Sequence, residues 1–133
     1  RELAHLPMMT AHIVFPEIDP DRPITQSPDG IAFMRDNLNL HSLLMSDDIS
    51  MGALSGNVRD RSEKALAAGC DLVLHCNGEL GEMKALAEVA GQMSPMASNR
   101  ADIALSCRRT PIDIDIPALE AEFEALIEGA DNA

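Results

Sequence analysis

Short apolar strands alternating with amphipathic helices predict an α/β fold, with a parallel sheet covered by helices. Three apolar runs carry that expectation: 6–15, with Met8, Met9, Ile13 and Val14; 42–45, Ser-Leu-Leu-Met; and 71–75, Asp-Leu-Val-Leu-His. Each is followed by a stretch whose apolar residues recur at helical spacing. Such units fit either a small doubly wound sheet or part of a (β/α)₈ barrel, and periodicity does not separate the two.

The elements follow in order. Pro16 ends the first strand, and PEIDPDRPITQSPDG is expected to be a long polar loop. Ser27-Pro28-Asp29 is a helix start with Pro at the first helical position, and that helix should run to about Asn37. After the strand 42–45 the polar run Ser46-Asp47-Asp48 intervenes. Asn57 then caps a helix whose Val58, Ala65, Leu66 and Ala68 lead to a Gly69 stop. Past the third strand a helix is expected over 79–90, another over 94–109, and a last one from Pro117 to near Gly129. Asp131-Asn132-Ala133 is expected to fray. The division is 1–93 for the strand-and-helix body and 94–133 for C-terminal helices packing on it.

Composition narrows the function classes. A net charge of −12, with no run of five basic residues, argues against a nucleic-acid surface. No apolar run approaches the roughly 20 residues of a membrane helix, and the first residues, RELAHLPMMTAH, lack the basic and long apolar regions of a signal peptide. Cys70, Cys76 and Cys107 are odd in number and form no CxxC pair, so a reducing, cytoplasmic setting is the simplest expectation. The chain begins with Arg, which suggests a piece of something longer.

In both candidate architectures the functional groups lie at the C-terminal ends of the strands. That selects Thr10-Ala11-His12, Ser46-Asp47-Asp48 and His75-Cys76-Asn77. Adjacent carboxylates after a buried strand repel unless hydrogen bonds or a cation compensate. The pair reads either as a helix cap or Asx turn, or as a nucleophile, base or metal ligand. His12 and His75 read as hydrogen-bonded structural residues or as site residues. His5 and His41 stand in no motif and read as structural or solvent-exposed. Cys76 beside His75 lacks the remaining ligands of a zinc site at any recognisable spacing. The eight Met residues read as core filler.

At these clusters the sequence resembles glycoside hydrolase family 3, in particular the bacterial β-N-acetylhexosaminidases of cell-wall recycling. The matching stretches are MTAHIVFPEIDPDRPIT at 9–25, LLMSDDISMGALSG at 43–56 and ALAAGCDLVLHCNGELGEM at 65–83. The resemblance implies the last three units, strands six to eight, of a TIM-type barrel, followed by a helical tail. It implies that Asp47 is the catalytic nucleophile of a retaining hydrolysis, with Asp48 as a supporting residue and His12 in the pocket close to the sugar, both of these binding the substrate. It implies a muropeptide substrate bearing terminal β-linked N-acetylglucosamine, and no cofactor or metal. The acid/base of that subgroup is a His on a KHFPGHG-like loop, and no such motif occurs in these 133 residues. A whole barrel needs about 250 residues. The other parts are therefore expected in the same parent chain, with turnover not expected of these residues alone. Two other readings stay open: a non-catalytic sugar-binding or assembly module, and a doubly wound nucleotide-binding domain, which has no GxGxxG or P-loop here.

Overall fold

A computed structural model describes residues 6–130. His5 and the expected frayed end, 131–133, lie outside the described residues. The centre of the fold is a three-stranded parallel sheet of β1 (Met8–Met9), β4 (Leu44–Asp48) and β5 (Leu72–Leu74), with β4 in the middle. Met8 pairs with Leu44 and Met9 with Met45, and on the other side Met45 pairs with Leu72 and Asp48 with Leu74. The register slips between Met45 and Asp48, so β4 is irregular where its polar residues begin.

Helices make each crossover. After β1 come α1 (Pro28–Ala32) and its continuation, Phe33–Asn37, which widens to a π-helix closed by Leu38 N–H on the Phe33 carbonyl. Helix α2 (Val58–Ala68) joins β4 to β5, and α3 (Leu80–Ala90) follows β5. The starts are built as the sequence indicates. Ser27 Oγ accepts Gly30 N–H at 2.9 Å, with Pro28 at the first turn, and Asn57 Oδ1 accepts Asp60 N–H at 2.9 Å. Gly69 ends α2 at φ 114°, a conformation that disfavours a side chain, and a Cβ there would come within 2.9 Å of Ile31 Cγ2. Between helices and sheet, Ile31, Leu44, Ile49, Leu54 and Ala65 are buried. Each large member is worth about 1.5–3 kcal/mol by removal from water.

The expected first strand, 6–15, is broken. β1 stops at Met9, Thr10 turns into the interior to bond Thr25, and 14–15 form β2 (Val14–Phe15), which pairs antiparallel with β3 (Asp19–Pro23). The segment expected to be a loop is therefore partly a two-stranded ribbon. Asp-Pro-Asp-Arg-Pro has no strand propensity; Asp19 organises it instead. Its buried carboxylate accepts the Asp21 and Arg22 amides at 3.1 and 3.2 Å, the Arg22 Nε at 2.9 Å and Ser27 Oγ at 2.6 Å. The Ser27 hydroxyl, above all, holds that carboxyl below the usual range. Two prolines are tolerated because this ribbon is not a central strand.

The second strand is also displaced, to 44–48 from the expected 42–45, so that Asp47 and Asp48 are its last residues and do not follow it. Helix α4 (Pro95–Ser106) and α5 (Ile116–Ala130) are both present, α4 ending three residues before the expected 109. α4 docks through buried Ala97 and through Arg100, whose Nη1 reaches Asp71 Oδ1 at 2.7 Å. Residues 116–129 of α5 are all exposed, including Leu119, Phe123 and Leu126. No described helix is long and apolar enough to cross a membrane.

Candidate active site

The carboxyl end of β4 gathers polar groups from every neighbour. Leu44 and Ser46 are buried, while Met45 and Asp47 are half-buried, as expected where alternate residues face opposite sides of the sheet. Ser46 Oγ accepts Leu74 N–H at 3.0 Å, taking the place of a ladder carbonyl where the register slips.

The two carboxylates differ in how they are held. Asp48 is fully engaged: it accepts Ser50 Oγ at 2.6 Å and Ser50 N–H at 3.0 Å, and Cys76 N–H at 3.2 Å. The Ser50 hydroxyl in particular lowers the Asp48 pKa, with the two amides and His75 adding to the effect against a desolvation that opposes it. Asp47 makes one bond, from the Asp48 amide to its Oδ1 at 2.7 Å, and among the described residues Oδ2 takes none. The loop behind them is clamped by Arg61, whose Nη1 donates to the carbonyls of Ile49, Ser50 and Met51 at 3.1–3.2 Å.

His12 reaches the same place from β1. Its Nε2 lies 3.0 Å from the Asp48 carbonyl and its Nδ1 lies 2.8 Å from Thr25 Oγ1. Thr25 is buried and within 2.9 Å of Thr10 Oγ1. Asp47, Asp48 and His12 therefore converge. His75 is on the neighbouring strand end but turns to α3, its Nε2 2.7 Å from Glu82 Oε2 and its buried Nδ1 without a partner. Cys76 contributes its amide; its side chain is exposed. No cluster of three His, Cys, Asp or Glu side chains able to hold a metal occurs among the described residues. Exposed His41 bonds Asn39.

Sequence reading passed over Ser50, Thr25 and Arg61. Ser50 had a detectable signal, since a Ser two residues after an Asp is a common turn partner. Thr25 and Arg61 had none, because their partners are 13 and 10–12 residues away in the chain.

A parallel α/β unit with paired carboxylates on the carboxyl rim of its central strand defines the class: an α/β fold of the kind in which polar groups gather at the carboxyl ends of the strands. The family described as "Glycosyl hydrolase family 3 N terminal domain" matches residues 4–109. The chain belongs to that family. It is 34% identical over 106 residues to a β-hexosaminidase of Actinobacillus pleuropneumoniae, covering 77% of this chain and 30% of that protein. Against a β-hexosaminidase of Methylococcus capsulatus it is 30% identical over 124 residues, 91% of this chain and 36% of the relative. Among solved structures, a glycoside hydrolase family 3 β-N-acetylglucosaminidase from Paenibacillus sp. str. FPU-7 superposes with TM-score 0.64 at 22% identity, covering 83% of this chain and 24% of that one. Zn-bound CbsA from Thermotoga neapolitana gives 0.62 at 26%, covering 79% and 26%. The chain thus spans only about a quarter to a third of the length of these proteins.

Proposed function

We propose that these residues form the last three units, strands six to eight, of a TIM-type barrel in a retaining β-N-acetylhexosaminidase. Residues 1–93 supply the barrel part, and of the C-terminal helices α4 packs on it, whereas α5, exposed throughout 116–129, does not pack on it as the sequence led one to expect. The observation that carries the reading is the asymmetry of the carboxylates: Asp48 is bonded at both oxygens and Asp47 Oδ2 is not. A nucleophile needs a free, ionised oxygen; a supporting residue does not.

Asp47 Oδ2 attacks the anomeric carbon through an oxocarbenium-like transition state, the bond to the leaving oxygen breaks, and a glycosyl ester forms. The leaving oxygen takes its proton from an acid/base that these residues do not contain, and water then cleaves the ester. Asp48 keeps the strand end in place, and His12 forms a wall of the pocket beside the sugar. The substrate is a muropeptide with a terminal β-linked N-acetylglucosamine, the setting cytoplasmic peptidoglycan recycling, and the remaining barrel part lies in the same parent chain. No cofactor enters this chemistry.

In the complete barrel, Asp47→Ala should lower kcat by several orders of magnitude and Asp48→Ala by less. A fluorinated sugar should label Asp47; label on Asp48 would move the role one residue along.

A further inference from the structure

We infer that His12 is a positioning residue: it fixes Asp47 by holding the Asp48 carbonyl, and neither ring nitrogen is left to hydrogen-bond a sugar. This rests on the reading of Asp47 as the reacting carboxylate. A carbonyl oxygen can only accept, so the 3.0 Å contact to Asp48 O requires the hydrogen on His12 Nε2. The other nitrogen is occupied by Thr25 Oγ1 at 2.8 Å, whichever of the two donates. Thr25 Oγ1 also lies 2.9 Å from Thr10 Oγ1 and 3.1 Å from the Ala11 carbonyl, its single hydrogen going either to that carbonyl or to Nδ1, and both threonines are buried. The imidazole is thus a rigid strut between an interior hydroxyl pair and the end of β4.

The strut acts on Asp47 through Asp48. With its carbonyl held by His12 on one side and by the Met51 amide of the following turn at 3.1 Å on the other, its carboxylate by Ser50 and Cys76, and the next amide, Ile49 N–H, bonded to the Leu74 carbonyl at 2.8 Å, Asp48 has one backbone group left. That group is its N–H, which donates to Asp47 Oδ1 at 2.7 Å. One Asp47 oxygen is therefore oriented by a backbone that cannot turn, which presents the other. Preorganisation of this kind comes from a supporting shell and not from the reacting group.

Two substitutions separate this role from a general contribution to folding. Asn carries its amide nitrogen near the position of Nδ1 and can keep Thr25, but it falls short of the Asp48 carbonyl. Gln carries its nitrogen near Nε2 and can keep that carbonyl. Using the whole 133-residue chain, the measurement is the set of three-bond couplings to Asp47 Cγ, by solution NMR or, for an assembled sample, by magic-angle spinning. The wild type and His12→Gln should show one Asp47 rotamer, and His12→Asn should lose that preference while the resonances of α2 and α3 stay in place. Long-range proton–nitrogen correlations in the wild type should show Nε2 protonated. A single Asp47 rotamer in His12→Asn, or an Nε2 without hydrogen, would overturn the inference. The glycosidase reading fails separately, by absence of sugar label on Asp47 in the complete barrel, and that result leaves the couplings unchanged.

Discussion

The Cys76 amide donates to Asp48 Oδ1 across 3.2 Å, tying the end of β5 to the end of β4. Together with Ser50 it stabilises the ionised carboxyl, so the Asp48 pKa in the folded chain lies below its ordinary 3.8. A depressed carboxylate adds stability that is complete above the unfolded value and is lost as pH falls through the folded one. The strand end should therefore loosen only below about pH 3.8, the ordinary value. Ser50→Ala removes the largest cause of the shift and should move the Asp48 carboxyl titration upward, toward that value. A carbon-detected pH titration of Asp48 Cγ checks this, and an unmoved midpoint in Ser50→Ala would count against the assigned cause.

Asp71 is the structural counterpart at the other end of the sheet. Its carboxylate, 6% exposed, receives Arg35 Nη2 at 2.9 Å and Arg100 Nη1 at 2.7 Å, and it also accepts the Leu44 amide at 2.9 Å. It thereby joins the helix after β1, the first residue of β4, and α4. Asp71→Asn leaves two largely buried guanidinium groups without a counter-charge, and breaking such pairs costs about 3–5 kcal/mol. For a domain of this size that is a large part of the total stability. Urea unfolding followed by circular dichroism should show the midpoint collapse, whereas Glu120→Gln on exposed α5 should change stability by under about 0.5 kcal/mol. Similar midpoints for both variants would remove Asp71 from this role.

The helix caps and the three parallel strands were legible because their signals are local: Ser27-Pro28, Asn57 and Gly69 each act within a few residues. The candidate carboxylates were legible for the same reason, as a polar pair where an apolar run stops. The hairpin of β2 and β3 was not, since Asp19 organises it through Ser27, eight residues on. Extending the strand to Asp48 was not legible either. Polar residues at a strand end look like a loop until Ser46 Oγ is seen to replace a ladder partner. His12 was selected by its position, but its partners Thr25 and the Asp48 carbonyl belong to other elements, and no spacing rule reaches them.

The three thiols should separate by reactivity. Cys70 is buried, its Sγ 3.7 Å from the Thr25 carbonyl, and burial pushes its thiol up to about 11. The thiolate is the nucleophile, so Cys70 should resist alkylation at pH 8. Cys76 is exposed and Cys107 partly so. Iodoacetamide followed by peptide mass spectrometry should modify Cys76 first, then Cys107, with Cys70 reacting only after denaturation. Rapid labelling of Cys70 in the folded chain would show that the helix layer over β1 and β4 opens readily.

The 133-residue chain on its own should associate and should not hydrolyse an aryl N-acetylglucosaminide. Among the described residues β1 and β5 each pair only with β4, which leaves an unpaired ladder on both sides of the sheet. Met9 is 50% exposed, Ile13 54% and Phe15 45%, and α5 adds Leu119, Phe123 and Leu126 at 50–67%. So much exposed apolar surface on a small chain calls for a cover, and at micromolar concentration a second copy is the available one. Turnover should fail for a separate reason. On the proposed reading, Asp47 expels the leaving oxygen only if that oxygen is protonated or already makes a good leaving group, so the failure should be greatest with an alkyl glycoside; neither His12, with both nitrogens engaged, nor Asp48, held ionised, is placed to protonate it. Sedimentation velocity combined with a fluorogenic assay tests both halves. Dimers or larger species without turnover are expected, and a compact monomer that hydrolyses the substrate would show that the acid/base lies within these residues.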